Sequence, residues 1–178
     1  MESPLSKWES FYVIVGSSAG ALTGLQFVVM ALASDLRRRT SSETISAFAT
    51  PNIVHFCVVL FISAVLSAPW PRFTEAAWVL ALAGIAGIAY VAFVHWRAQK
   101  QTGYEPVLED WLFHVILPYV AYALLLLGAI LLTGSETLAL FIVATMALLL
   151  MFVGIHNAWD TATFLVVQRA AAKDEPPP

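Results

Sequence analysis

Apolar residues in this chain run in long blocks separated by short polar clusters, without the alternation of a half-buried strand or of a surface helix. A bilayer core of about 30 Å needs about 20 residues of helix. Five blocks fit: 11–33, 52–68, 76–95, 111–132 and 138–156. The second is opened by Thr50-Pro51, a capping residue followed by proline at the first helical position. The fifth can continue as helix to Gln168. Lipid offers an open backbone no partner, so every block is predicted to be helical. The expected fold is all-α: a polytopic integral membrane protein with a single transmembrane domain over 1–170. The tail 171–178, ending in Pro176-Pro177-Pro178, is expected to be disordered.

Composition strengthens that picture. Of 178 residues, 60% are hydrophobic and 12% charged, with a mean hydropathy of +0.78. Soluble domains are about a quarter charged. These values exclude a disordered chain, a nucleic-acid binder with a basic face and an ordinary water-soluble enzyme. The lone Cys57 excludes a disulfide framework or a cysteine-based zinc site within one chain.

Charge gives a direction. Arg37, Arg38, Arg39, Arg97, Lys100, Arg169 and Lys173 fall on one side of the predicted spans, and only Lys7 and Arg72 on the other. The positive-inside rule puts the N-terminus outside and the C-terminus in the cytoplasm, in the plasma (inner) membrane. Trp8, Trp70 and Trp78 then lie at outer ends, and Trp96, Trp111 and Trp159 at inner ends, as interfacial tryptophans should. Ala31-Leu32-Ala33 resembles a signal-peptide cleavage site. The apolar run before it is too long and Glu2 and Glu9 precede it, so the first span is expected to be retained.

Spans two and three, and spans four and five, are joined by short outer turns at 69–73 and 133–135, which predicts two hairpins forming a four-helix bundle. Their landmarks correspond: His55, Glu75 and His95 in one, His114, Glu136 and His156 in the other. A parallel internal repeat would give this pattern, as would two generic hairpins with acidic helix starts.

All four histidines are expected at one depth near the cytoplasmic side, with His55 about one turn inside the end of its span. Asp110 and His114, and His156 and Asp160, are four apart and share helix faces. Thr145, His156, Asp160 and Thr163 follow one stripe of the fifth helix, Glu109 adjoins the set, and Asn157 could hydrogen-bond a ligand. Neutral imidazole binds first-row metals, and a carboxylate serves as ligand or orients a ligating ring. His55, His114, His156, Asp160, His95 and Asp110 are therefore candidate ligands for zinc, iron or copper, or for a b-type haem between two facing histidines. The layer could equally be a proton sensor or interfacial decoration.

Gly16, Gly20 and Gly24 in the first span permit close helix approach, in a homo-oligomer, against the chain's own hairpins, or around a pore. Gly84 and Gly87 suggest the same packing in the third span. Pro118 should free the carbonyl of His114 and kink the fourth span. Cys57 reads as a small core residue. No carboxylate, lysine or arginine lies near mid-span, and no phosphate loop, nucleophile elbow or HExxH helix occurs, which argues against an ion-coupled transporter, a nucleotide-driven pump or a zincin. The leading expectation is a membrane protein that binds a transition metal or haem at a cytoplasmic-side His/Asp cluster. The rivals are a homo-oligomeric channel or small permease with the histidines as gate, and a scaffold or accessory subunit with a membrane-protein partner. Lipid is the expected environment, and no nucleic-acid partner is expected.

Overall fold

The structure, a computed structural model, describes residues 4–33, 42–99 and 108–174. These residues form helices and short connections, with no strand among them. A 3-10 turn, Pro4–Trp8, leads into α1, Glu9–Ala33. Helix α2 is Ser42–Ser67 and α3 is Phe73–Gln99. Helix α4 is composite: Leu108–Trp111 is α-helical, Leu112–Ile116 is a π turn, and Leu117–Leu131 is α-helical again. Helix α5, Glu136–Asp174, is the longest.

Local chemistry sets the turns. The Trp70 indole N–H donates to the carbonyl of Val65 at 2.6 Å, which ties down the end of α2. The backbone N–H of Arg72 donates to Glu75 Oε2 at 3.1 Å, half of a capping box that starts α3 at Phe73. At the other turn Ser135 N–H donates to Leu131 O at 2.7 Å.

Two boundaries differ from expectation. Helix α2 begins at Ser42, so Pro51 lies inside it and does not open it. Proline leaves one rung of the ladder unmade and kinks more often than it ends a long helix. Helix α5 continues past 171, where a disordered tail was expected, because Ala170-Ala171-Ala172-Lys173 are strong helix formers. Positions 175–178 lie outside the described residues.

Four helical segments are long and apolar enough to cross a membrane: Leu5–Ala31, Phe73–Arg97, Leu112–Leu131 and Glu136–Thr163. The described apolar part of α2, Asn52–Ser67, is shorter. Large apolar side chains cover the outside, with Trp78 at 74% exposure and Leu82 at 68% on α3 and Phe152 at 61% on α5. Helix α2, however, has a buried face on two neighbours, and its core residues Phe56, Val59 and Ile62 are fully enclosed.

The four extensive helix seams are α1–α2, α2–α5, α5–α4 and α4–α3. Each contains a glycine against a neighbouring side chain. Gly16 lies on Ser63, Gly154 on Phe56, Gly128 on Val143, and Gly84 and Gly87 on Leu126 and Tyr122. Small residues let backbones approach where lipid supplies no hydrophobic drive. The α2–α3 seam has no such glycine and is much slighter, although these helices are sequence neighbours. The two expected hairpins therefore pack unlike one another: α4–α5 is tight and α2–α3 is splayed. The bundle runs α2–α5–α4–α3, with α1 outside on α2.

Candidate functional site

The site follows from an interruption in α4. Pro118 has no N–H, so the α-helical donor to His114 O and the π-helical donor to Phe113 O are both missing. Just before it, the N–H of Leu117 donates to Leu112 O, five residues back. That N–H would have served Phe113 in a regular helix. Phe113 O thus loses both candidate donors in its own helix. Asn157 of α5 replaces them: its Nδ2 donates to Phe113 O at 3.4 Å. The expectation was a freed carbonyl at His114. The π turn moves the vacancy served by a neighbouring helix one residue earlier. Such turns mark functional sites often.

Next to this clasp lies a buried polar core at the junction of α2, α4 and α5. His55 is 1% exposed, and a hydrogen bond of 2.9 Å joins its Nδ1 to Tyr122 Oη on α4, with its direction set by the tautomer. His114, half-buried on α4, is within electrostatic reach of His55. Asn52, one turn before His55 on α2, is fully buried, and neither atom of its carboxamide has a partner. Asn157 is 1% exposed, and its Oδ1 has no partner. Helices α2 and α5 are antiparallel and cross at Phe56 and Gly154. That register sets the turn carrying Asn52 opposite the turn carrying Asn157.

The outer edge is ionisable. His156 stacks on Phe113, ring centroids 3.5 Å apart at 20°. Its Nε2 lies 3.5 Å from Glu109 Oε1 and 3.2 Å from Asp160 Oδ2. His95 Nε2 is 3.1 Å from Gln99 Nε2, and the ring meets Trp111 edge-on at 5.2 Å.

These contacts put the histidines at neighbouring levels, since Phe56 meets Gly154, Phe113 meets His156 and Trp111 meets His95. They do not bring them to one point. His55 faces the core with Tyr122, His156 sits among carboxylates at the rim, and His95 is held by its own helix and α4. His55 is also mid-helix, not one turn from an end, because α2 extends to Ser42. Among the described residues, no three of His, Cys, Asp and Glu form a group that could hold a metal ion. Glu109 and Asp160 approach the ring nitrogen of His156 at the separations of an ion pair.

The other sequence candidates are placed as follows. The side chain of Asp110 and those of Arg37, Arg38, Arg39, Lys100, Arg169 and Lys173 lie outside the described residues. Thr145 and Thr163 donate to Phe141 O and Asp160 O of their own helix. Gly16 is buried on Ser63 of the same chain, whereas Gly20 and Gly24 have nothing within 4 Å of a would-be methyl. Cys57 is exposed and not in the core, because α2 turns its Phe56 side, not its Cys57 side, toward α5. Sequence reasoning missed Asn52 and Tyr122 as site residues. The signals were there: Asn52 is three residues before His55, and Tyr122 is two turns after His114.

Comparison with protein-family models, curated proteins and solved structures finds no match for this chain.

Proposed function

We propose that this chain is a five-span integral membrane protein, N-terminus outside and C-terminus cytoplasmic, that acts as a small permease or channel through its buried polar core. The observation that carries the reading is the unpaired carboxamide of Asn52, fully buried beside the His55–Tyr122 pair. A buried polar group without a partner costs about 1–3 kcal/mol. Keeping several in register where apolar residues would pack is reasonable if a polar solute meets them in passing. Helix α2 serves as the fifth span in this reading, because it is sandwiched between α1 and α5. The plasma membrane and the orientation rest on the lysine and arginine distribution. The open face of Gly20 and Gly24 is where a second copy would pack to form a homo-oligomer.

The test is flux in vesicles reconstituted with purified protein, for uncharged osmolytes by light scattering and for ions by entrapped dyes. Flux above that of empty vesicles, reduced in Asn52→Leu and His55→Phe, is expected. Empty-vesicle rates for every solute and ion would overturn the reading.

A transition-metal or haem reading has one feature in its favour. A ligating imidazole ordinarily has its second nitrogen hydrogen-bonded, as His55 does to Tyr122. Elemental analysis with an optical spectrum decides it: near-stoichiometric metal or a Soret band, lost in His55→Ala, His114→Ala and His156→Ala, is required.

A further inference from the structure

We infer that Asn52 and Asn157 form a binding site for a small uncharged molecule with an adjacent hydrogen-bond donor and acceptor, of the amide or urea class. The inference deepens the permease reading, on which it rests, by naming the solute.

Three polar atoms carry it: Nδ2 and Oδ1 of Asn52 and Oδ1 of Asn157, all without partners on residues 0% and 1% exposed. Other buried atoms without a hydrogen-bond partner, among them Tyr12 Oη, Ser63 Oγ and Gln26 Nε2, belong to α1 and α2, and none of these comes from α5. Here one donor and two acceptors lie on facing turns of α2 and α5. One N–H of Asn157 Nδ2 is turned to Phe113 O, which orients the carboxamide of Asn157.

The charge state of the guest follows from the lining. The buried polar side chains of the described residues are Gln26, Asn52, His55, Ser63 and Asn157, with no carboxylate, lysine or arginine. An ion would lose its hydration with no opposite charge in return. A hard cation also needs a shell of oxygens, and Asn52 sets an N–H donor beside its oxygen.

The shape of the guest follows from the carboxamide edge. Asn52 offers a donor and an acceptor side by side. A primary amide or urea pairs with that edge through two parallel hydrogen bonds, and its remaining N–H can reach Asn157 Oδ1. A water molecule, with two donors and two acceptor sites, is the competing guest, and contact with the acetamide methyl group distinguishes the two. A carboxylic acid would be ionised near neutral pH and brings no second N–H donor.

Two measurements on the full chain test the site. Vesicles of phosphatidylethanolamine and phosphatidylglycerol containing the protein are challenged with urea, acetamide, glycerol and sodium acetate, and reswelling is followed by light scattering. Saturation-transfer NMR on the detergent-solubilised protein reports contact with the acetamide methyl group. Urea and acetamide should enter faster than in empty vesicles. Asn52→Leu should lower their rates about tenfold, the factor expected for one lost specific hydrogen-bonding group. The acetamide transfer signal should vanish in that variant, and Asn157→Ser provides a second variant with a smaller packing change. Entry of glycerol or acetate with no preference for amides overturns the inference and leaves the permease reading standing. A transfer signal lost in Asn52→Leu, with no flux of any solute, upholds the site and overturns the permease reading. Amide rates and signals unchanged in both variants overturn the site.

Discussion

Asn157 of α5 donates its side-chain amide to the backbone carbonyl of Phe113 in α4 at 3.4 Å, across the seam between two membrane-length helices. The neighbouring residue, His156, stacks its ring on the Phe113 ring. Two consecutive side chains of one helix thus hold the backbone and the ring of a single residue in the other, at the place where Pro118 leaves that helix weakest.

The first prediction concerns this clasp. Asn157→Leu leaves the part-buried Phe113 O without a donor, offset in part by removal of the unpartnered Asn157 Oδ1, and should destabilise the protein by about 1 kcal/mol. Pro118→Ala restores an N–H to α4, so Asn157→Leu should be less harmful in that background. Unfolding in mixed detergent, arranged as a double-mutant cycle, reads the difference. Additive effects would show that the amide does not stand in for the missing helical donor.

Asn52→Leu should act in the opposite direction. It removes two unpaired buried polar atoms and substitutes a side chain of similar size, so stability should rise by about 1–3 kcal/mol. A loss of stability would mean that Asn52 has hydrogen-bonding partners in the folded protein.

Tyr122→Phe removes one end of the bond to His55 and leaves the other end buried. A loss of about 1–3 kcal/mol is expected. His55→Phe combined with Tyr122→Phe should be less harmful than the sum of the single changes, because neither ring then lacks a partner.

The glycines should divide into two groups. A methyl at Gly154 would come within 2.6 Å of the Phe56 ring, and one at Gly16 within 2.8 Å of Ser63 Cβ. Alanine at either should destabilise by about 1–3 kcal/mol through overpacking. Alanine at Gly20 or Gly24 meets nothing within 4 Å and should leave the unfolding midpoint of the monomer unharmed. Chemical cross-linking in vesicles, compared with unfolding, separates a loss of oligomer from a loss of fold.

Helices α1, α3, α4 and α5 were legible in the sequence because length and hydropathy alone identify a segment that can cross hydrocarbon. The start of α2 was not, since Pro51 looks like a first-turn proline and its own side chain gives no sign that the helix continues behind it. Helix partners were only half legible. Gly84 and Gly87 announce a close neighbour, but nothing in α3 says that it is α4 and not α2, the helix one turn away in the chain. The histidine level could be counted from helix ends. The direction of each ring depends on rotation about the helix axis, which packing decides. That is why His55 points inward to Tyr122 while His156 meets Glu109 and Asp160 at the rim. The carbonyl of Phe113 had no sequence signature, because a π turn shifts the hydrogen-bond register without altering composition.

The looseness of the α2–α3 seam has a mechanical consequence. Around the bundle, three contacts are locked by glycine and one is not, so the four helices behave as a clamp with a single gap and not as a closed ring. Deformation will widen the gap before it slides any locked pair. Helix α2, which carries Asn52 and His55, forms one jaw of that clamp, while Asn157 and Tyr122 stay with the helices that form its back. Asn52 and Asn157 lie beside the glycine-locked α2–α5 contact, so widening of the α2–α3 gap leaves their separation nearly unchanged and moves the α3 jaw instead.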